Sequence, residues 1–252
     1  MKLVSLFALL IMGGFTSLLT AGPEIYDPLD AYKKSNTLSS KPQSEIVTQG
    51  TTVESARFKY DAGLLARVDY LDSKKNLTGY SLFDYDKGIL VRERLFHIGD
   101  ILVEDIKYEY HKNKLVKSLA HDIRGNALIE WRYVYDKEGQ LVGGKRFLAK
   151  HLTESFRVTK NANGTTQHIY NARGELTSKV ESVYKDGLLM HRLKTGLVGA
   201  RYADYRYNTS KELVEIIYHE TVRGEKKWVK THRFEYSMAA NVPTRSAFKT
   251  GS

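Results

Sequence analysis

A short aromatic pattern returns at a fixed interval along this chain. Phe58-Lys59-Tyr60-Asp61, Phe83-Asp84-Tyr85-Asp86, Tyr108-Glu109-Tyr110-His111 and Tyr133-Val134-Tyr135-Asp136 lie in register, each 25 residues after the last. Looser copies follow at Val183-Tyr184-Lys185-Asp186, Tyr205-Arg206-Tyr207-Asn208 and Phe234-Glu235-Tyr236, with a degenerate one at Phe156-Arg157-Val158. A turn and then an aliphatic residue come after most copies, as in Gly63-Leu64-Leu65, Gly88-Ile89-Leu90 and Gly187-Leu188-Leu189. Self-similarity at a constant period is the mark of stacked, identical units that share one core.

Each unit holds two turns. Asp61-Ala62-Gly63, Asp86-Lys87-Gly88 and Lys185-Asp186-Gly187 alternate with Ser73-Lys74-Lys75-Asn76, Gly99-Asp100 and Arg124-Gly125-Asn126. Asp and Asn tolerate left-handed backbone and Gly takes positive φ freely, so these are hairpin turns. Between them, polar and apolar residues alternate. In Leu128–Tyr135 the residues Ile129, Trp131, Tyr133 and Tyr135 share one face, and Glu130, Arg132 and Val134 the other. No proline falls between Pro42 and Pro243, which suits an unbroken ladder. The expected fold is all-β: a single long antiparallel meander of about 15 strands over residues 51–237, curved into a half-pipe or barrel because so wide a sheet tends to curl. The aromatic pairs should form a stripe across it that stabilises the sheet.

The motif Y-D-x-x-G-x-L followed by a strand resembles the YD repeats of RHS-type bacterial surface and toxin-shell proteins. A second resemblance is to the MORN-variant repeats of antitoxin-like proteins. Where YD repeats carry arginine after the glycine, this chain has Leu64, Ile89, Gln140 and Glu175. The resemblance implies a β scaffold with no chemistry of its own.

The ends read differently. Lys2, the apolar run Leu3–Met12 and small residues up to Ala21-Gly22 have the layout of a secretory signal peptide, 1–21. Residues 22–50, with Pro23, Pro28, Pro42 and a polar aperiodic stretch, are expected to be a flexible leader, and 238–252 a disordered tail. The chain has no cysteine, which removes thiolate chemistry and cysteine zinc sites, and suits a bacterial exported protein. The formal net charge of +10 favours anionic envelope partners such as lipid, lipopolysaccharide or glycan, or another envelope protein. Nucleic acid fits the charge but not the compartment. After cleavage of the signal no membrane-spanning segment is expected.

Catalytic motifs do not stand out. The eight histidines show no H-x-H or H-E-x-x-H spacing, and no G-x-S-x-G is present. Gly143-Gly144-Lys145 is no phosphate loop and reads as a bulge or bend. Neither enzyme activity nor a cofactor is expected. One cluster could contact a ligand or polyanion: Arg223, Lys226, Lys227, Trp228, Lys230, His232 and Arg233. Simple alternation places Trp228, Lys230 and His232 on one face, with Lys227 and Arg233 on the other. Edge protection by lysine explains the same residues without a ligand. Two functions follow: a binding or scaffolding module of the periplasm or cell surface, and a periplasmic carrier sheltering a lipid-like amphiphile on a concave aromatic face.

Overall fold

The computed structural model describes residues 41–236 apart from 198 and 223, and not the side chain of residue 222. The signal-peptide and tail assignments therefore lie outside the described residues. Sixteen antiparallel strands follow one another as a meander, from β1 (Ser44–Gln49) to β16 (Glu225–Glu235), and close into a barrel through β1–β16 pairing. The meander of about fifteen strands is present, with one strand more than the repeats announce. That strand is β1. Residues 44–49, expected within the flexible leader, pair with β2 on one side and β16 on the other. The repeat pattern could not reveal β1, because it carries no aromatic pair. Its alternation is Glu45 and Val47 inward, buried at 2% and 3% exposure.

Two kinds of connection build the ladder. At one mouth, β2 (Thr52–Asp61) turns through Ala62-Gly63 into β3 (Leu64–Leu71), and β4 (Leu77–Asp86) through Lys87-Gly88 into β5 (Ile89–His97). Both central residues have positive φ, as a two-residue hairpin turn requires. Opposite the motif tyrosine the following strand carries one extra residue, Ala66, Val91, Val116, Val142, Met190 and Val214 facing the steps Lys59/Tyr60, Asp84/Tyr85, Glu109/Tyr110, Val134/Tyr135, Val183/Tyr184 and Arg206/Tyr207. A bulge in most of these hairpins bends and twists the sheet, and the repeat thereby helps it close. Both mouths also have longer loops, such as 72–76 and 122–126 at the other mouth and 136–140 and 208–212 at this one, and these are capped by their first side chain. Asp72 accepts hydrogen bonds from the amides of Lys74 and Asn76, and Asp122 does the same for Arg124 and Asn126.

The aromatic face turns into the barrel. Leu90, Tyr108, Leu115, Trp131, Tyr133, Phe156, Ile169 and Val180 form one buried cluster there, and Ala56, Leu65, Val68 and Tyr70 a second. The second tyrosine of the motif reaches over the preceding hairpin. Tyr85 Oη donates to the Leu65 carbonyl at 3.0 Å, Tyr135 to Leu115 at 2.8 Å, Tyr207 to Leu189 at 2.9 Å and Tyr236 to Leu213 at 2.7 Å. The first tyrosine meets a polar side chain of the strand before it: Tyr108 bonds Glu93 at 3.1 Å, and Tyr133 lies 3.4 Å from the Ser118 hydroxyl. These bonds give the period its physical meaning, since tyrosine and leucine of neighbouring units are ligated to each other.

Gly143-Gly144 directly follows a bulge, as the sequence suggested, with Val142 the extra residue. The register shift in β9 (Leu141–Leu148) falls between Leu141 and Gly143. A Cβ on Gly144 would collide with the Phe156 ring and the Arg132 carbonyl, so glycine is there to let Phe156 of β10 (His151–Asn161) lie across the sheet.

Candidate functional site

The outer face is charged at mid-strand around the barrel. Asp69 is held by Lys59 at 2.6 Å and Arg67 at 2.5 Å. Burial pushes the Asp69 carboxyl up, but hydrogen bonds from Lys59 and Arg67 outweigh it and leave it below the usual carboxylate range. Arg92 grips Asp105 with two bonds, 2.7 and 2.9 Å, and Arg94 pairs with Asp84 at 3.0 Å. Across the seam, Arg206 and Arg233 converge on Glu215 of β15 (Leu213–Val222) at 2.8 and 3.0 Å.

The expected ligand cluster lies on β16 and is divided by the fold. Arg223 is outside the described residues. Between Trp228 and Lys230 the register with β15 (Leu213–Val222) slips by one residue, at Val229. The slip reverses the alternation, so Trp228 does not share a face with Lys230 and His232. Lys230 and His232 point inward at 4% and 3% exposure, whereas Trp228 is 44% exposed, with its indole N–H donated to Thr231 at 2.9 Å. Arg233 is on the outer face against Glu215, and Lys227 is exposed near Glu225 at the start of the strand.

The inward pair has a structural task. His232 Nδ1 and Glu45 Oε1 are 2.7 Å apart, both almost fully buried, and join β16 to β1 at the seam. Tyr218 packs edge-on against His232, and the Lys230 ammonium lies 5.3 Å from the same Tyr218 ring. Burial lowers the Lys230 pKa to about 8.

Lys226 belongs to a different group, which the sequence does not signal. It reaches Asp204 of β14 (Gly199–Tyr207) at 3.2 Å and lies 5.0 Å above the Tyr202 ring. Asp204 also meets His191 of β13 (Leu188–Gly196) at 2.8 Å and His219 at 3.7 Å. Burial raises the Asp204 carboxyl, and the hydrogen bonds from His191 and Lys226 more than reverse that. Desolvation, and then Lys226, lower the His219 pKa. His191, Tyr202, Asp204 and Lys226 border an open depression of about 720 Å³. The Asp204 carboxylate is already satisfied by His191 and Lys226, which is how a surface network is stabilised. Only the strand register brings Asp204, His219 and Lys226 together, so no sequence spacing could have found them. Among the described residues no group of three or more His, Asp or Glu side chains is arranged to hold a metal ion.

No protein-family model matches the sequence. No curated protein matches it either. Solved structures do. A porin-like protein from Bacteroides uniformis superposes with a TM-score of 0.52 at 8% identity, covering 79% of this chain and 97% of that one. A porin-like protein from Bacteroides vulgatus matches with a TM-score of 0.37 at 11% identity, covering 78% and 98%. A TcdB2-TccC3 structure matches over 76% of this chain and 16% of that one, at 10% identity and a TM-score of 0.21. The last two scores are too low to support an argument. The first shows a shared barrel fold.

Proposed function

We propose that the chain is an exported, non-enzymatic barrel of the bacterial envelope that acts as a scaffold or binding module. The observation that carries this reading is the use made of the repeated tyrosines. The hydroxyls of Tyr85, Tyr135, Tyr207 and Tyr236 are spent on neighbouring units and the repeat rings on a shared apolar interior, with Leu115 and Ile169 at 2% exposure. An amphiphile carrier would need that interior free. The YD-type assignment draws support from the same bonds, because the tyrosine and leucine of Y-D-x-x-G-x-L are the residues they join. The reading includes export through residues 1–21 and placement in the periplasm or at the cell surface.

The barrel of this proposal does not span the membrane. A transmembrane barrel turns an apolar band of about 25 Å toward lipid, and a charge at the bilayer midplane costs about 2–4 kcal/mol. Here the mid-strand outer face carries Arg67, Asp69, Arg92, Asp105, Asp204 and Arg206, while the apolar residues face inward.

Native mass spectrometry of the protein purified from its own envelope separates the readings. The scaffold reading expects the mass of residues 22–252 with nothing bound. A lipid-sized adduct at one per chain would replace it with the carrier reading. Recovery of the uncleaved chain from the cytoplasm would remove export.

A further inference from the structure

The two mouths of the barrel differ. At the mouth where β1 begins and β16 ends, the turns are Ala62-Gly63, Lys87-Gly88, Lys112-Asn113, Ala162-Asn163 and Asp186-Gly187, with two longer polar loops at 136–140 and 208–212. At the opposite mouth an aliphatic residue stands on loop after loop. Ile98, Ile123 and Leu197 occupy loop tips at 57%, 67% and 92% exposure, and Ile101, Leu148 and Leu176 occupy strand ends at 61%, 45% and 54%. Exposed cations lie among them: Lys74, Lys75, Arg124, Lys150 and Arg173. The rim also carries acids, with Glu225 at 3.9 Å from Lys227 among them. Asp72 and Asp122 cap their own loops, Asp100 accepts the Tyr80 hydroxyl, and Glu175 bonds Asn171. What sets these aliphatics apart from ordinary scattered surface residues is that they gather on one rim.

We infer that this crown docks the barrel, mouth down, on an anionic lipid surface. The aliphatics stand singly on separate loops around a ring. That arrangement touches a plane better than it fills a pocket on a protein. Single apolar side chains inserting at the headgroup boundary, with basic residues beside them, are the elements of interfacial binding. The charged girth stays in water, and β1 begins and β16 ends at the mouth that faces away from the bilayer. The inference goes beyond the scaffold reading by naming the surface and the end that meets it, and a test with purified protein does not depend on export.

The absence of cysteine allows a direct test. Full-length Ile123→Cys reports from the crown and Glu138→Cys from the other mouth, each carrying an environment-sensitive dye. Both are mixed with phosphatidylcholine vesicles with and without phosphatidylglycerol, using brominated acyl chains as quencher. The dye at position 123 should be quenched on the anionic vesicles only, and the dye at 138 should not. Replacing Lys74, Lys75 and Arg124 with Ala should weaken partitioning by about fivefold per cation, about a hundredfold together. Quenching at 138 overturns the inference, whether alone, as insertion of the N-terminal segment could produce, or together with 123. So does a dye at 123 already shielded before vesicles are added, which would mean that the chain's own terminal segments cover the crown. A crown that ignores vesicles but crosslinks to a second copy is a protein interface and also refutes it. Failure of the scaffold reading would appear as a bound lipid in the mass measurement, with the vesicle result unaffected.

Discussion

Tyr135 offers a direct test of the repeat. Its hydroxyl donates to the Leu115 carbonyl at 2.8 Å, and its ring packs against the main interior cluster. Tyr135→Phe removes the hydrogen bond and keeps the ring. An intramolecular hydrogen bond contributes a net of about 0.5–1.5 kcal/mol, so a loss of about 1 kcal/mol is expected. For a domain of about 150–250 residues that lowers Tm by about 2–4 °C. Tyr135→Ala also removes the ring and leaves a void. Truncating a buried aromatic costs about 3–5 kcal/mol, and Tyr135, being half-buried, belongs at the low end, a fall of about 6–12 °C. Lys74→Ala, in an exposed loop, is the control and should stay within about 0.5 kcal/mol of the parent. Thermal melts followed by circular dichroism, with denaturant titrations for the free energies, give all three values. If Tyr135→Ala melts with the parent, the stripe does not hold the barrel together and an aromatic binding platform becomes the better reading. If Tyr135→Phe is as damaging as Tyr135→Ala, the hydroxyl has been undervalued and the packing argument is wrong.

Gly144→Ala should lower stability by about 1–3 kcal/mol, because its methyl group meets the Phe156 ring; a simultaneous Phe156→Leu should recover part of the loss in the same denaturant titration. His232→Ala strands the buried Glu45 carboxylate at the seam and should cost about 3–5 kcal/mol, with hydrogen exchange accelerated first in β1 and β16. Lys230 has a folded pKa near 8, below the ordinary 10.5, so the unfolded chain binds more protons between these values and stability should rise with pH through that window. The rise attributable to Lys230 is about 1–2 kcal/mol between pH 8 and 10. Lys230→Met should lose it. Comparing parent with variant cancels the opposing contribution of Tyr85, whose pKa burial raises to about 12. Limited proteolysis should yield a core that retains β1; a fragment starting at residue 51 would leave β2 and β16 as open edges and should aggregate.

The hairpins, their turns, the alternation and the inward aromatic stripe were legible in the chain because each depends on residues within one repeat. Asp61-Ala62-Gly63 fixes a turn, and Tyr133-x-Tyr135 fixes a face, whatever the rest of the barrel does. The tyrosine–leucine bonds span only 18 to 23 residues, and their period is visible even though the bonds are not. Three features needed the closed barrel. Closure recruits β1, whose Glu45 meets His232 from 187 positions away, and nothing local marks a strand whose partner is the last one. The slip at Val229 sends Trp228 outward and Lys230 inward, since a single extra residue reverses every side chain beyond it. The crown exists only because alternate turns of a meander gather at one end, so that Ile98, Ile123 and Leu197, far apart along the chain, come to stand on one rim.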